Sequence, residues 1–219
     1  MIFQNIDFHN VEEIRQEEKG YRLYRFPLAV AKQMDEGAER ISCMSTGIEL
    51  RFKIKGEAVD IWMQAEAAEE AQVAYIYYGN FQGGWYSSSK VILEEKTKLH
   101  FERIKNLEVI KKISDEQKLS FNPEVVRVVL PYGNCLFVGV DGEVEAPNKE
   151  DYPEKTYLAY GSSITHGSLA LAAPYTYPFQ IAQKLSCDYL NLGMAGSARL
   201  EEAFAKYIVN RKDWDFLSV

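Results

Sequence analysis

The strongest constraint on the fold is a change of pattern near residues 146–153. That segment carries two prolines and three charged residues without hydrophobic periodicity, which is typical of a segment between domains. Before it, strand-like runs recur about every ten residues, as in all-β domains. After it, strand-like and helix-like runs alternate. We therefore predict two domains, residues 1–150 and residues 151–219.

The first domain is predicted to be a β-sandwich. Residues 48–54 alternate apolar and polar side chains, which predicts a strand with one face in solvent. Further strand-like runs cover residues 59–63, 73–78, 90–93, 98–101, 125–130 and 135–140. The helical spacing of Leu107 and Ile110 predicts one short helix over about residues 105–117. Many short strands in succession indicate an antiparallel, jelly-roll-like sandwich.

The second domain has the alternation of a parallel α/β sheet. Strand-like runs cover residues 156–160, 188–192 and 214–219. Helical spacing relates Tyr177, Ile181 and Leu185, and then Leu200, Phe204 and Ile208. Three strands make a thin sheet, and the run at 214–219 would be an unprotected edge. We therefore expect an incomplete domain whose exposed edge strand could pair two copies as a homodimer.

Composition excludes several classes of function. The 219 residues hold 25 Lys plus Arg against 32 Asp plus Glu, a net charge of −7 that disfavours general binding to nucleic acid. The widely separated Cys43, Cys135 and Cys187 indicate buried free thiols of a reducing compartment. There is no signal-peptide pattern and no apolar run of the roughly 20 residues that cross a membrane. We predict a soluble, cytoplasmic protein with no metal, no cofactor and no membrane partner.

Two glycine-bearing turns follow the first two strands of the α/β part. Gly161 to Ser163 follows the run at 156–160, at the sheet edge where α/β proteins place their sites. A serine there can be a nucleophile beside backbone N–H groups, or simply part of a polar turn or a helix cap. Gly196 follows the run at 188–192 and could bring its N–H close to a substrate oxygen, or could only satisfy a turn that needs positive φ.

Together the turns resemble the SGNH, or GDSL-type, serine hydrolase superfamily. Residues 161–165, GSSIT, match its first block, with Ser162 where the family usually has Asp. The family's nucleophile falls on Ser163, and the N–H of Ser163 would be one oxyanion donor. The second block falls on Asn191-x-Gly193-x-x-Gly196, where Gly196 would be another donor. The resemblance implies a flavodoxin-like fold, of which the first half is present, preceded by the β-sandwich found in some members.

The resemblance implies an esterase or acyltransferase that acts on small acyl esters, such as acetyl groups on a sugar, through an acyl-enzyme on Ser163. Ser162, His166 and Asn191 are candidates to line the substrate. His166 is also a weaker candidate for a general base, because it lies only three residues from Ser163. The family's Asn block and D-x-x-H block have no counterpart in this sequence. We therefore expect a truncated chain with little activity, since serine needs a base to lose its proton.

An alternative is a non-catalytic module, in which the sandwich binds carbohydrate or another partner and the hydrolase part is a remnant. It rests on an aromatic-rich stretch that contains Trp62, Tyr75, Tyr77, Tyr78, Phe81, Trp85 and Tyr86. Such side chains can stack on sugar rings or pack in the core and across strands. A phosphate cradle is disfavoured, because the glycine patterns of nucleotide-binding loops are absent.

Overall fold

The computed structural model describes residues 1–66, 71–84 and 87–219. The part before residue 146 is built mainly of short strands. These are β1 Ile2–Phe3, β2 Ile6–His9, β3 Glu13–Glu17, β4 Gly20–Tyr24, β5 Glu49–Ile54, β6 Ala58–Ala65, β7 Gln72–Tyr78, β8 Phe81–Gln82, β9 Ser89–Ile92, β10 Thr97–Glu102, β11 Val126–Val129, β12 Cys135–Asp141 and β13 Val144–Glu145. Its helices are α1 Leu28–Ala31, α2 Ala38–Ser42 and α3 Leu107–Gln117.

These strands form two antiparallel sheets around a shared core. One sheet has the order β1-β2-β5-β11-β7-β8, with β13 beside β5 and β9 beside β7, and the other has the order β10-β6-β12-β4-β3. Buried side chains from both sheets form one cluster, which includes Phe8, Phe52, Ile61 and Phe137. The strands predicted between residues 48 and 140 and the helix near 105–117 are confirmed. Trp85 and Tyr86 lie outside the described residues.

The remaining residues form a small parallel sheet with helices between its strands. Its elements are β14 Thr156–Gly161, α4 Ser163–His166, α5 Tyr177–Leu185, β15 Asp188–Gly193, α6 Glu202–Asn210 and β16 Phe216–Ser218. The strand order is β15-β14-β16, and Gly161 is in register with Gly193. Both strands therefore end at the same level of the sheet. No helix in the described part of the chain is long and apolar enough to cross a bilayer.

The prediction that residues 48–54 keep one face in solvent is wrong. Glu49 and Arg51, which alternate with the core side chains of β5, are 0% and 1% exposed. The Arg51 guanidinium binds both carboxylate oxygens of Asp188, at 2.6 and 2.7 Å, and Asp188 begins β15. The parallel sheet therefore covers the outer face of β5, and the polar side chains of that face serve as contacts between sheets.

A network of opposite charges makes this contact between the sheets. Glu49 accepts hydrogen bonds from Arg51 at 2.8 Å and from Arg127 of β11 at 2.7 and 2.8 Å. Burial raises the pKa of Glu49, but the charges of Arg127 and Arg51 outweigh it and bring that pKa to about 2. The pKa of Asp188 is likewise well below its usual value, because the Arg51 charge outweighs burial. Two carboxylates thus balance two guanidinium groups.

The segment predicted to separate the domains also packs on the first sheet. The Tyr152 hydroxyl donates to Asp7 at 2.7 Å, and Lys53 donates to Asp151 at 2.9 Å. Tyr152 also contacts the Arg51 guanidinium, which lies 5.4 Å from the ring centroid. Hydrogen bonds of Tyr152 and Asp151 therefore fix the segment to the antiparallel sheet.

Candidate active site

The first turn of the site lies where β14 passes into α4. The helix begins at Ser163 directly after Ser162, whose carbonyl accepts the N–H of His166 at 2.9 Å. Ser162 is exposed and Ser163 is partly exposed. The N–H of Ser163 donates to no acceptor among the described residues. A Cβ on Gly161 would lie 2.1 Å from Oγ1 of Thr165, so the tightness of this turn requires glycine.

The second turn follows β15 and ends at Gly196. Gly196 has φ of +79°, is exposed, and a Cβ built on it would meet nothing within 4 Å. Its N–H also has no acceptor in the described part of the chain. A Cβ on Gly193 would lie 2.2 Å from the backbone nitrogen of His166. The backbone of α4 therefore lies directly on Gly193, and this close approach brings the two turns together.

The buried side chain of Asn191 links the two turns by hydrogen bonds. Its Nδ2 donates to the carbonyl of Thr165 at 2.8 Å, and its Oδ1 accepts the N–H of Gly193 at 2.8 Å. The residue is 0% exposed. Of the three residues expected to line the substrate, the structure therefore places Asn191 beneath the site and leaves Ser162 at its surface.

His166 lies on the buried side of α4 and not on an exposed loop. It is 0% exposed, its ring stacks on Tyr132 at 4.7 Å between centroids, and its Nδ1 accepts the N–H of Ala195 at 3.2 Å. Because Nδ1 is an acceptor, Nε2 carries the proton, and this buried N–H has no partner among the described residues. Burial, followed by the charges of Arg25 and Arg40, lowers the pKa of His166 to about 2. No hydrogen bond joins His166 to Oγ of Ser163 in the described part of the chain.

Arg25 is a site residue that the sequence analysis missed. Its guanidinium donates to the carbonyls of Asn191 and Gly193 at 2.9 Å each, and also to those of Met44 at 2.9 Å and Ile41 at 2.8 Å. The side chain is 0% exposed, and burial lowers its pKa to about 10. Arg25 lies 166 positions from Asn191, so no local pattern indicates this contact.

The arrangement offers a serine hydroxyl and two N–H groups without acceptors, on turns at the same edge of the sheet. Such donors stabilise the negative charge that develops when a nucleophile adds to an acyl carbonyl. In the described residues, no histidine or carboxylate hydrogen-bonds Oγ of Ser163. Nor does any group of three or more His, Cys, Asp and Glu side chains in those residues form a candidate metal site. The site therefore combines a serine hydroxyl and two unbonded N–H groups, with no base bound to the hydroxyl among the described residues.

Comparison with known proteins gives one family match for the C-terminal part of the chain. Residues 154–214, which include both turns, match the sequence model of the GDSL-like lipase/acylhydrolase family. No curated protein matches the chain.

Three solved structures share the fold. The salicylyl-acyltransferase SsfX3 from a tetracycline biosynthetic pathway has a TM-score of 0.72 at 16% identity, over 99% of this chain and 59% of that one. A protein described as a GDSL-like lipase from Bacteroides ovatus has a TM-score of 0.57 at 14% identity, over 97% and 63%. A family two carbohydrate esterase from Cellvibrio japonicus has a TM-score of 0.50 at 13% identity, over 88% and 50%. The chain thus spans about six tenths of the first two structures.

Proposed function

We propose that the chain is an SGNH/GDSL-type hydrolase, because residues 154–214 match the GDSL-like lipase/acylhydrolase family, and that its site acts on acyl esters with Ser163 as the nucleophile. The N–H groups of Ser163 and Gly196 receive the oxyanion. The observation that carries the proposal concerns the N–H groups of Ser163 and Gly196, which have no acceptor among the described residues. They belong to two turns that can pack closely because Gly193 has no side chain. In the same proposal, the two antiparallel sheets are a β-sandwich and the parallel sheet is the first half of a flavodoxin-like domain.

The proposed reaction begins with attack of Oγ of Ser163 on the acyl carbonyl. The carbonyl oxygen becomes an oxyanion that accepts the two N–H groups, and collapse of the tetrahedral species expels the alcohol and leaves an acyl-enzyme. Water or a second alcohol then takes the acyl group. His166 does not take the serine proton, because a pKa of about 2 makes its ring a very weak base and Nδ1 already accepts the N–H of Ala195. The proton passes to water, so we propose that these 219 residues turn over slowly.

The proposed substrate is a small acyl ester, such as an acetyl group on a sugar. One structural relative is a salicylyl-acyltransferase and another is a carbohydrate esterase, which supports an acyl ester without fixing the acyl acceptor. Ile164, Leu169 and Leu171 are exposed apolar residues of α4 and the loop after it. An apolar rim of this kind suits an acyl group better than a charged one.

A second candidate function is carbohydrate binding beside the site. A groove between β7, β8 and α5 has a lining of tyrosines and amides that includes Tyr75, Tyr77, Tyr175, Gln82, Gln180 and Gln183. Aromatic faces and amide groups together suit a sugar, which presents both C–H faces and hydroxyl groups. Titration with xylo- and cello-oligosaccharides tests this candidate. A Tyr175→Ala variant should weaken the binding, and equal affinity for wild type and variant would contradict it.

The main test is acetyl transfer from p-nitrophenyl acetate, followed by intact-protein mass spectrometry. We expect one acetyl group on Ser163, slow release of p-nitrophenol, and loss of both signals in Ser163→Ala. Ser162→Ala is the matched control and should keep them. Equal rates for wild type and Ser163→Ala would contradict the proposed nucleophile. A turnover number of about 1 s⁻¹ or more, within the range of working enzymes, would contradict slow turnover.

A further inference from the structure

Arg25 is a buried cation without a carboxylate partner in the described part of the chain. Its four bonded carbonyls belong to neutral peptide groups, and no ion pair to an Asp or Glu side chain forms there. The titratable groups that act on it are Cys43, Tyr207 and Tyr132. Burial raises the pKa of the Cys43 thiol and of the Tyr207 hydroxyl, which keeps both groups neutral at neutral pH. Its positive charge is therefore unbalanced.

This charge lies against the backbone that leads into the second turn. One Nη of Arg25 binds the carbonyls of Asn191 and Gly193, and Gly196 is only three residues further along the chain. Three residues span at most about 11 Å. The electrostatic potential of Arg25 also acts on α4, because its charge helps to lower the pKa of His166 in that helix. Ser163 begins that same short helix.

We propose that Arg25 is a positioning residue of the site, which holds the second turn through its carbonyls and whose unbalanced charge stabilises an anion at Ser163 and Gly196. Bound to the carbonyls of Asn191 and Gly193, Arg25 fixes the peptide units that lead to the Gly196 donor. Its charge acts through the protein interior, where it is screened less than at a surface. The anion can be the oxyanion of the tetrahedral species or a small carboxylate product.

Burying a lone guanidinium opposes folding, so a neutral side chain would be favoured if stability were its only role. The neighbouring contact between sheets illustrates the usual solution, because Arg51 and Arg127 are both neutralised by carboxylates. At Arg25 the chain supplies four carbonyl oxygens, which accept four of the five N–H groups without cancelling the charge. The four hydrogen bonds hold the surrounding backbone in place, and the positive charge of Arg25 remains free to stabilise an anion at the site.

The inference rests on the proposed Ser163 site but can be tested without turnover. In Ser163→Cys the new thiol reports the local potential, and its pKa is measured from the pH dependence of its alkylation by iodoacetamide. The natural thiols Cys43, Cys135 and Cys187 are buried, and burial raises their pKa values, so they react slowly. At roughly 10 Å and an effective dielectric constant of about 20, one charge shifts a pKa by about one unit.

We expect the thiol of Ser163→Cys to titrate about one unit below the ordinary value of about 8.5. Adding Arg25→Gln should raise this pKa by about one unit, whereas Arg25→Lys, which keeps the charge, should leave it within about 0.3 units. Arg40→Gln is the matched control: this exposed cation also acts on His166, but solvent screens it, so the thiol pKa should change by less than about 0.3 units. Circular dichroism confirms that each variant folds.

Three outcomes would overturn the proposal. The first is a folded Arg25→Gln variant with an unchanged thiol pKa. The second is Arg25→Lys raising the pKa as much as Arg25→Gln does, which would assign the effect to lost hydrogen bonds. The third is a thiol pKa at or above about 8.5 with Arg25 in place, which decides the question even if Arg25→Gln does not fold. If Arg25 shifts the thiol as expected but Ser163 is never acetylated, only the proposed ester chemistry fails.

Discussion

Two buried sets of charge lie where the antiparallel sheets meet the C-terminal segment, and they are built differently. In the network of Glu49, Arg51, Arg127 and Asp188, two carboxylates balance two guanidinium groups. Arg25, beneath the turns of the candidate site, contacts only backbone carbonyls. The balanced set joins the sheets, and the unbalanced charge bonds to the backbone that leads into the second turn. In this protein, the arginines that join the sheets are neutralised by carboxylates, whereas the arginine next to the candidate site is not.

The comparison also shows that a shifted pKa alone does not locate the chemistry. Glu49 and Asp188 have strongly lowered pKa values, yet they lie inside a sealed contact between sheets. Structural ion pairs shift pKa values as effectively as active sites do. What marks the Ser163 region is geometry: a partly exposed serine and two N–H groups without acceptors, on turns at one sheet edge.

The largest expected effect comes from breaking the balanced network. Asp188→Ala leaves Arg51 buried without its bidentate partner, and we expect a loss of about 3–5 kcal/mol in the free energy of unfolding. Denaturant unfolding followed by circular dichroism measures it. Glu202→Ala is the control, because its ion pair with Lys206 is exposed and should contribute far less. A similar, small loss in both variants would mean that the network does not hold the sheets together.

The second prediction compares two glycines of the same turn. Gly193→Ala places a methyl group against the backbone of α4, so we expect a loss of about 2–3 kcal/mol and displacement of Ser163. Gly196→Ala meets no neighbour and should cost only about 1 kcal/mol, because its positive φ disfavours a side chain. Unfolding free energies and acetylation of Ser163 are measured together. If Gly193→Ala is the milder variant, the close approach of α4 does not organise the site.

The third prediction concerns pH. The folded-state pKa of His166 is about 2 and that of His9 is also lowered, mainly by burial, against an ordinary value of 6.5. Below pH 6.5 the unfolded chain therefore binds protons that the folded chain does not. His166 should reduce the free energy of unfolding by about 1.4 kcal/mol per pH unit as pH falls, and His9 should act in the same direction. Glu49 is charged when folded, so its contribution is lost only as pH falls from about 4.5 towards 2.

The contribution of His166 can be isolated with His166→Asn, whose side-chain oxygen can still accept the N–H of Ala195. Unfolding free energies at pH 7, 6 and 5 should fall less steeply in this variant, by the contribution of one proton. An unchanged slope would show that His166 is protonated in the folded protein. That result would weaken the comparison, because it would remove the evidence that the Arg25 charge reaches α4.

The smallest expected effect is at Tyr132, which covers His166. Tyr132→Phe loses the hydrogen bond between the hydroxyl and Ser168, which is exposed, and should cost about 0.5 kcal/mol. Tyr132→Leu also loses the ring stack on His166 and should cost about 1 kcal/mol more. Both losses are read from denaturant midpoints. Equal losses in the two variants would mean that the hydroxyl, and not the stacked ring, keeps His166 in place.

Much of the fold follows from local patterns. The strand-like runs at 156–160 and 188–192 and the helical spacing from Tyr177 correspond to β14, β15 and α5 within one residue. The solvated face predicted for residues 48–54 was wrong for a physical reason. Alternation identifies Glu49 and Arg51 as polar, but their partners Arg127 and Asp188 lie 78 and 137 positions away. The alternation of apolar and polar residues along one strand cannot predict that such distant partners bury and neutralise these charges.

The candidate site also has parts that the sequence predicts and parts that it does not. Glycine and serine at the ends of two strands predicted the turns that carry Ser163 and Gly196, because parallel strands end at one edge of a sheet. The burial of His166 and the contacts of Arg25 depend on how α4 and residues 41–44 pack, which spacing does not encode. The turns were therefore predictable, and the charge beneath them was not.

The most direct test of Ser163 as the nucleophile is the coordination of boron in an arylboronic acid bound to the protein, measured by boron NMR. A boronate that bonds to a serine oxygen becomes tetrahedral and anionic, and so imitates the intermediate without any turnover. We expect a tetrahedral signal in wild type and in Ser162→Ala, a weaker one in Arg25→Gln, and none in Ser163→Ala. Boron that stays trigonal in wild type, or a tetrahedral signal that survives Ser163→Ala, would contradict the assignment of Ser163 and its two turns as the active site.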